Sequence, residues 1–144
     1  MAHSWGAFVT INALSRLSFT IDRMIFLAPL TFVPPLESFQ DELASFAAQQ
    51  SNLGRKASLP SLVADFELIR TNFSAEVSTP TFSKWPNTLV VQGTDDDVTP
   101  STLNRRYFEG RPESVEYIEV NDNHWLNGRT ILTEHVLRFL RSAQ

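Results

Sequence analysis

Three short apolar runs constrain most strongly what this chain can fold into. They are DRMIFLAP from Asp22, NTLVVQG from Asn87 and SVEYIEV from Ser114, and each is bounded by charged residues, proline or turn-forming residues. Continuous apolar runs of this length are typical of strands that are buried on both faces of a parallel sheet. The third run mixes glutamate with valine and isoleucine, so we expect it to lie nearer an edge of the sheet.

Helical patterns separate these runs and predict an α/β architecture. Residues 5–17, WGAFVTINALSRL, are apolar on nearly every face, which predicts a helix buried on most sides. Thr99 as N-cap and Pro100 at the first helical position predict a helix after the second run. Residues 129–144 predict an amphipathic closing helix. Strands that alternate with helices in this order usually pair in parallel through crossover connections.

The segment between the first two strands is too long for a bare connection, and we expect it to form a helical cap. It covers residues 31–86, whereas structureless loops rarely exceed about 15 residues in compact domains. Two stretches with apolar residues at helical spacing predict two helices there. Its aromatic side chains could line an apolar pocket, although packing is the commoner role. These aromatic residues are Phe39, Phe46, Phe66, Phe73, Phe82 and Trp85.

Composition narrows the class of protein. The 144 residues are 42% hydrophobic, enough for one domain with a sizeable core. Twelve scattered Lys and Arg residues against sixteen Asp and Glu argue against nucleic acid and membranes as partners. There is no cysteine, which excludes disulfides and cysteine nucleophiles. We therefore expect a single domain over residues 1–144 with the cap inserted in it. Because no stretch resembles a signal peptide or is long and apolar enough to span a membrane, we expect the cytoplasm as its location.

Three polar segments follow one another in an order that indicates a serine-dependent site. AHSWG has the small residues Ala2 and Gly6 two positions before and after Ser4, directly before the first predicted helix, where a sharp turn can expose the serine. VVQGTDDDVTP supplies Asp95, Asp96 and Asp97 after the second strand, and VNDNHWL supplies His124 after the third. Each motif alone is common. Serine, aspartate and histidine in this order, at the ends of strands, are a far more specific signal.

These segments resemble those of the α/β-hydrolase superfamily, and the resemblance covers nearly the whole chain from the nucleophile elbow onward. It implies a partial α/β-hydrolase fold with about three parallel strands, flanking helices and a helical cap insertion. GTDDDVTP resembles the acid loop of the family, in which the acid lies three residues after the glycine, so the resemblance favours Asp96. Asp95 and Asp97 are then turn residues or caps. NHW resembles the histidine loop of the family.

The resemblance implies a serine hydrolase that acts on an ester, a thioester or a related small acyl substrate, without a cofactor or a metal. Ser4 would be the nucleophile, His124 the general base and Asp96 the carboxylate that orients His124. The backbone N–H of Trp5 would be one donor to the oxyanion. We interpret His3 as a packing or hydrogen-bonding neighbour of this site.

Other hypotheses remain open. In the family, the second oxyanion donor and the strand that leads into the nucleophile come earlier in the chain, and only three residues precede Ser4. We therefore expect a fragment of a longer protein, or a gene model begun at an internal methionine, that could self-associate through its exposed sheet edge. Such a chain could be catalytically silent, an interaction module that needs the missing half. An acyltransferase or a lyase could also use the same three residues.

Overall fold

Strands and helices alternate through most of the chain. The computed structural model describes residues 1–14, 21–32, 36–56, 58–72 and 85–142. The elements, in chain order, are β1 (Ala2–His3), α1 (Trp5–Leu14), β2 (Arg23–Leu27), a short 3-10 helix (Leu36–Ser38), α2 (Gln40–Asn52), α3 (Leu59–Asn72), β3 (Asn87–Gly93), α4 (Ser101–Phe108), β4 (Val115–Val120) and α5 (Arg129–Arg141).

The four described strands form one parallel sheet in the order β1-β2-β3-β4. The three apolar runs are β2, β3 and β4, which confirms the predicted parallel α/β architecture. β4 lies at an edge of this sheet, as its mixed sequence predicts. The sheet has one strand more than the sequence indicated, because Ala2 and His3 pair with Phe26 and Leu27. A short strand therefore does lead directly into Ser4.

The central strands β2 and β3 are buried on both faces. One face, with Phe26 and Val90, packs against Ile11 of α1 and Phe108 of α4. The opposite face, with Leu27, Leu89 and Val91, packs against Phe139 of α5. Each large side chain buried in this way contributes roughly 1.5–3 kcal/mol through the hydrophobic effect. This packing holds the carboxyl ends of the strands as a rigid platform.

Two helices differ from the sequence prediction. Val9 is 61% exposed, so α1 is less completely buried than its apolar sequence predicts. Residues 15–17, the rest of that predicted helix, lie outside the described residues. In α4 the N-cap is Pro100, whose carbonyl accepts the first helical hydrogen bonds, and the prediction of Thr99 as N-cap is wrong. The reason is that the Thr99 hydroxyl donates to Asp96 instead.

Residues Phe32–Val77 form a compact unit of their own, separate from the sheet unit of Met1–Thr31 and Ser78–Gln144. In the smaller unit α2 and α3 contact one another, and the rings of Phe39 and Phe66 stack with their centroids 5.4 Å apart. The insertion of a cap over residues 31–86 stays a prediction.

The aromatic residues assigned to the cap have different surroundings. Phe66 is buried, whereas Phe46 is 47% exposed. Trp85 is buried in the core of the sheet unit, where its ring contacts that of Phe108 edge to face. Phe73 and Phe82 lie outside the described residues.

None of the helices in the described part of the chain combines the length and the apolar character needed to cross a bilayer.

Candidate active site

Ser4 lies in a strained turn between β1 and α1. Its φ angle is 50°, in the left-handed region that residues with a side chain seldom adopt. Such a conformation costs roughly 1–3 kcal/mol and persists only where its surroundings enforce it. Here the Ser4 N–H donates to Leu27 O at 3.0 Å, and Ser4 O accepts from the N–H groups of Ala7 at 3.0 Å and Leu30 at 3.1 Å. The turn is thus fixed by hydrogen bonds on both sides of the serine.

Asp96 and His124 form a buried pair at the carboxyl ends of β3 and β4. His124 Nδ1 lies 3.0 Å from Asp96 Oδ2 and 3.1 Å from Oδ1. Asp96 is only 6% exposed and His124 only 4% exposed. An ionised carboxylate accepts hydrogen bonds but cannot donate them, so Nδ1 of the imidazole carries the proton. Nε2 of the neutral ring is then left as a base.

The remaining hydrogen bonds of Asp96 keep its carboxylate ionised. Oδ1 accepts from the backbone N–H groups of Val98 at 3.0 Å and Thr99 at 2.7 Å. Oδ2 accepts from Gln92 Nε2 at 2.9 Å and from Thr99 Oγ1 at 2.6 Å. Burial raises the pKa of Asp96, but hydrogen bonds from His124 and Thr99 outweigh burial and lower the pKa from 3.8 to about 2.

Of the three consecutive aspartates, Asp96 is the one that contacts His124. Asp95 and Asp97 are exposed on either side of it. The backbone N–H of Asp95 donates to Asp122 O at 3.1 Å, which joins the acid loop to the histidine loop. Alternation along the loop therefore turns one carboxylate into the protein and leaves its two neighbours in solvent.

The histidine loop is shaped by its own side chains and by a glycine beneath it. Asp122 accepts from the N–H groups of Asn123 at 2.8 Å and Gly128 at 2.6 Å, and Asn123 Oδ1 accepts from Trp125 N at 2.9 Å. The loop passes directly over Gly93, where a Cβ atom would lie 2.4 Å from Asp122 O and 2.7 Å from Asn123 O. Only glycine lets the loop approach so closely.

His3 connects the serine turn to the histidine loop. Its Nε2 donates to the backbone carbonyl of His124 at 2.9 Å, and the centroids of the two imidazole rings are 4.9 Å apart. The His3 ring also stacks against Trp125, which is 69% exposed. His3 is thus a hydrogen-bonding neighbour of the site, as its sequence position suggested.

The structure brings the end of β1 beside the histidine loop through this contact, but it does not join all three predicted residues by hydrogen bonds. Among the described residues, no hydrogen bond links Ser4 Oγ to His124. Hydrogen bonds of this kind often tighten only when a substrate is bound. Trp5 is the first residue of α1, so its backbone N–H immediately follows Ser4. Across the described ranges, no group of three His, Asp or Glu residues could hold a metal ion.

Sequence reasoning missed the polar residues that surround Asp96. Gln92, Thr99 and Asn104 are fully buried and hydrogen bonded to one another or to Asp96. The available signal was Gln92 itself, a polar residue near the end of the otherwise apolar run NTLVVQG. A glutamine in a buried strand requires partners for its amide.

No protein-family model and no curated protein matches this sequence. Solved structures do match it. The enol-lactonase from Burkholderia xenovorans LB400 superposes with a TM-score of 0.60 at 16% identity, over 96% of this chain and 63% of the lactonase. The esterase from Exiguobacterium antarcticum gives 0.59 at 12% identity, over 97% and 65%. A meta-cleavage product hydrolase from Pseudomonas fluorescens gives 0.57 at 16% identity, over 99% and 64%.

These likenesses extend along nearly the whole chain and define its fold. The chain has part of the α/β-hydrolase fold, with a parallel sheet and flanking helices. It spans less than two thirds of the length of each of the three solved structures.

Proposed function

We propose that the protein is a serine hydrolase that cleaves an ester, a thioester or a related small acyl bond with Ser4, His124 and Asp96. The buried Asp96–His124 pair, with Nδ1 and Oδ2 3.0 Å apart, is the observation that carries the proposal. The strained turn at Ser4 supports it, because a serine in such a turn after a strand is presented at the end of the sheet. The fold shared with an esterase and a lactonase adds support.

The proposed reaction is acyl transfer through a covalent intermediate. His124 Nε2 takes the hydroxyl proton of Ser4 while Ser4 Oγ attacks the carbonyl carbon of the substrate. The oxyanion that forms accepts a hydrogen bond from the backbone N–H of Trp5. His124 then gives the proton to the leaving alcohol or thiol as the acyl bond breaks. Water repeats the sequence on the acyl-serine, releases the carboxylic acid and restores the hydroxyl of Ser4.

Asp96 supports both proton transfers. Its ionised carboxylate holds the proton of His124 on Nδ1, so that Nε2 is left unprotonated and can act as the base. It also stabilises the imidazolium that forms when His124 is protonated. Both residues are nearly fully buried, and this attraction is stronger there than it would be in water.

The proposal is tested by active-site labelling. We expect a fluorophosphonate probe to attach to Ser4 of the folded 144-residue protein, with the modified peptide identified by mass spectrometry. Ser4→Ala removes the nucleophile and His124→Ala removes the base, so both should abolish labelling. His135→Ala is the matched control, because His135 lies in α5 and not among the site residues, and its labelling should equal that of the wild type.

The esterase from Exiguobacterium antarcticum provides a positive control for the probe. If that esterase is labelled while Ser4 of the folded protein is not, the proposed hydrolase activity of this chain is wrong. Labelling that persists in His124→Ala at the wild-type rate would reject His124 as the base.

A further inference from the structure

A row of buried polar side chains lies behind Asp96. Gln92 and Asn104 have no exposed surface, and Asp96 is 6% exposed. A buried polar group without partners costs about 1–3 kcal/mol. Apolar residues of equal volume could fill the same space without this cost. Buried polar residues whose donors and acceptors are all hydrogen bonded therefore indicate a specific role for those hydrogen bonds. The hydrogen bonds of Gln92 and Asn104 meet that condition.

Gln92 contacts Asp96 directly from the end of strand β3. Its Nε2 donates to Asp96 Oδ2 at 2.9 Å, to Thr99 O at 3.0 Å and to Gly93 O at 3.1 Å. All three partners can only accept hydrogen bonds. The amide nitrogen must therefore face Asp96, and the orientation of the Gln92 amide is fixed.

Asn104 of α4 holds the other end of that amide. Asn104 Nδ2 donates to Gln92 Oε1 at 2.7 Å and to Pro29 O at 2.7 Å, and its Oδ1 accepts from Thr31 Oγ1 at 2.5 Å. The carbonyl of Pro29 cannot donate, so the Asn104 amide is also fixed in one orientation. Thr31, Asn104 and Gln92 thus form a single directed row that ends on Asp96 Oδ2.

Gln92 differs from the other donors to Asp96 in where it comes from. The N–H groups of Val98 and Thr99 and the Thr99 hydroxyl belong to the same short turn as Asp96. Gln92 belongs to the central strand β3. It is the donor that joins the carboxylate to a central strand of the sheet, and the hydrogen bond from Asn104 fixes the orientation of its amide.

We propose that Gln92 and Asn104 are positioning residues that hold the Asp96 carboxylate toward His124 Nδ1. The consequence for catalysis rests on the proposed function, whereas the positioning itself is a property of the folded protein. Without these hydrogen bonds, the carboxylate can rotate within its turn and lose its hydrogen bond with His124 Nδ1. The proton of neutral His124 is then free to occupy Nε2, the nitrogen that must act as the base.

The test is the tautomer of His124, read from the ¹⁵N NMR spectrum of neutral imidazole and assigned with His124→Ala. We expect the wild type to hold the proton on Nδ1. Gln92→Leu removes the donor at nearly constant volume and should produce a clear population protonated on Nε2. Fluorophosphonate labelling of Ser4 should slow roughly ten- to a hundredfold, the scale expected when a catalytic group is misplaced by about an ångström.

Thr88→Val is the matched control. Thr88 is fully buried near the opposite end of the same strand, and its hydroxyl donates to Pro86 O at 2.8 Å without contacting Asp96. Its loss should lower stability but leave the tautomer and the labelling rate unchanged. If Gln92→Leu folds and retains His124 on Nδ1 as fully as the wild type does, the proposal is wrong.

A second variant and a measurement without substrate complete the test. If Gln92→Leu does not fold, Asn104→Ser, which retains Gln92 but removes the donor to its Oε1, is measured with the same expected and contradicting outcomes. The tautomer is observed without any substrate. If the wild type holds the Nδ1 tautomer, Gln92→Leu shifts it toward Nε2 and neither protein is labelled, the hydrolase function is contradicted while the positioning role is supported.

Discussion

At the scale of single residues, the site depends on which of three adjacent carboxylates faces inward. Asp96 is buried and accepts hydrogen bonds from Gln92, Val98, Thr99 and His124. Asp95, one residue earlier, is exposed. The two carboxylates have the same chemistry, so only the turn that begins at the end of β3 makes one of them a partner of the histidine.

This difference predicts unequal effects of two equivalent substitutions. Asp96→Asn should slow fluorophosphonate labelling of Ser4 by roughly 10³–10⁴-fold, because an amide no longer enforces the Nδ1 tautomer or stabilises the imidazolium. Asp95→Asn is its matched control and should stay within about twofold of the wild type, as expected of an exposed side chain outside the pair. The labelling rates are measured at the same pH on folded variants. A larger loss for Asp95→Asn than for Asp96→Asn would show that the assignment of Asp96 as the acid is wrong.

The sequence indicates candidate residues that belong to a recognisable motif. It does not indicate which distant residues contact one another in the folded protein. The order of the motifs at the ends of strands indicates His124, and the family resemblance favours Asp96 among the three aspartates. The two side chains lie within hydrogen-bonding distance, and their catalytic roles stay predictions. Gln92 and Asn104 could not be paired in this way, because the eleven positions between them say nothing about the contact of their amides across β3 and α4. Thr99 was assigned to a helix cap, a role that its hydroxyl fits equally well by local rules. The folded structure shows that this hydroxyl donates to Asp96 instead.

At the scale of elements, the end of β3 and the loop after β4 are fitted to one another at Gly93. The carbonyl oxygens of Asp122 and Asn123 lie 2.4 and 2.7 Å from the position that a Cβ atom at residue 93 would occupy. The Thr94 N–H donates to Val120 O at 2.9 Å, so the chain beyond Gly93 stays bound to the neighbouring strand. The position of His124 therefore depends on the absence of a side chain at residue 93.

Gly93→Ala should both destabilise the protein and displace His124. The added methyl group overlaps backbone atoms, which cannot move aside as a flexible side chain would, and overpacking of this kind costs about 1–3 kcal/mol. Labelling of Ser4 should fall together with the free energy of unfolding measured in urea. Gly6→Ala is the control for stability only: Gly6 lies in helix α1, and a Cβ there would contact Ala2 Cβ at an ordinary distance of 3.6 Å. Alanine there should preserve or raise stability. Equal losses of unfolding free energy in Gly93→Ala and Gly6→Ala would argue against the close contact at Gly93.

The elements themselves follow from local sequence more readily than their contacts do. The apolar runs predicted β2, β3 and β4, because strands buried on both faces need apolar residues at every position. β1 has no such signal, since two residues are too few to show a pattern. It exists because Ala2 and His3 lie opposite Phe26 and Leu27 of the strongly predicted β2.

At the scale of the whole molecule, residues from distant parts of the chain meet at one end of the sheet. Ser4 follows β1, Asp96 follows β3 and His124 follows β4, and the strands between them are parallel. Parallel pairing alone brings their carboxyl ends to a common edge, so the alternation of strands and helices already implied a shared location. The depth of burial and the hydrogen-bonding partners of each residue required the packed structure.

The low pKa of Asp96 links the stability of the sheet unit to pH. Its pKa is about 2 in the folded protein against an ordinary value of 3.8, so the ionised carboxylate favours folding at pH values above 3.8. That contribution is about 2 kcal/mol, and it is lost as the pH falls through 3.8 toward 2. All three tryptophans belong to the sheet unit, which lets their fluorescence follow its unfolding in urea.

Wild type and Asp96→Asn should therefore differ in the pH dependence of their unfolding free energies. The amide does not titrate, so the advantage of the wild type should shrink by about 2 kcal/mol as the pH falls from 4 to 2. Asp97→Asn, which alters an exposed carboxylate beside it, should follow the wild-type curve. A difference between wild type and Asp96→Asn that does not change with pH would mean that the hydrogen bonds to Asp96 bind the protonated and the ionised acid equally, which is incompatible with a carboxylate held ionised for His124.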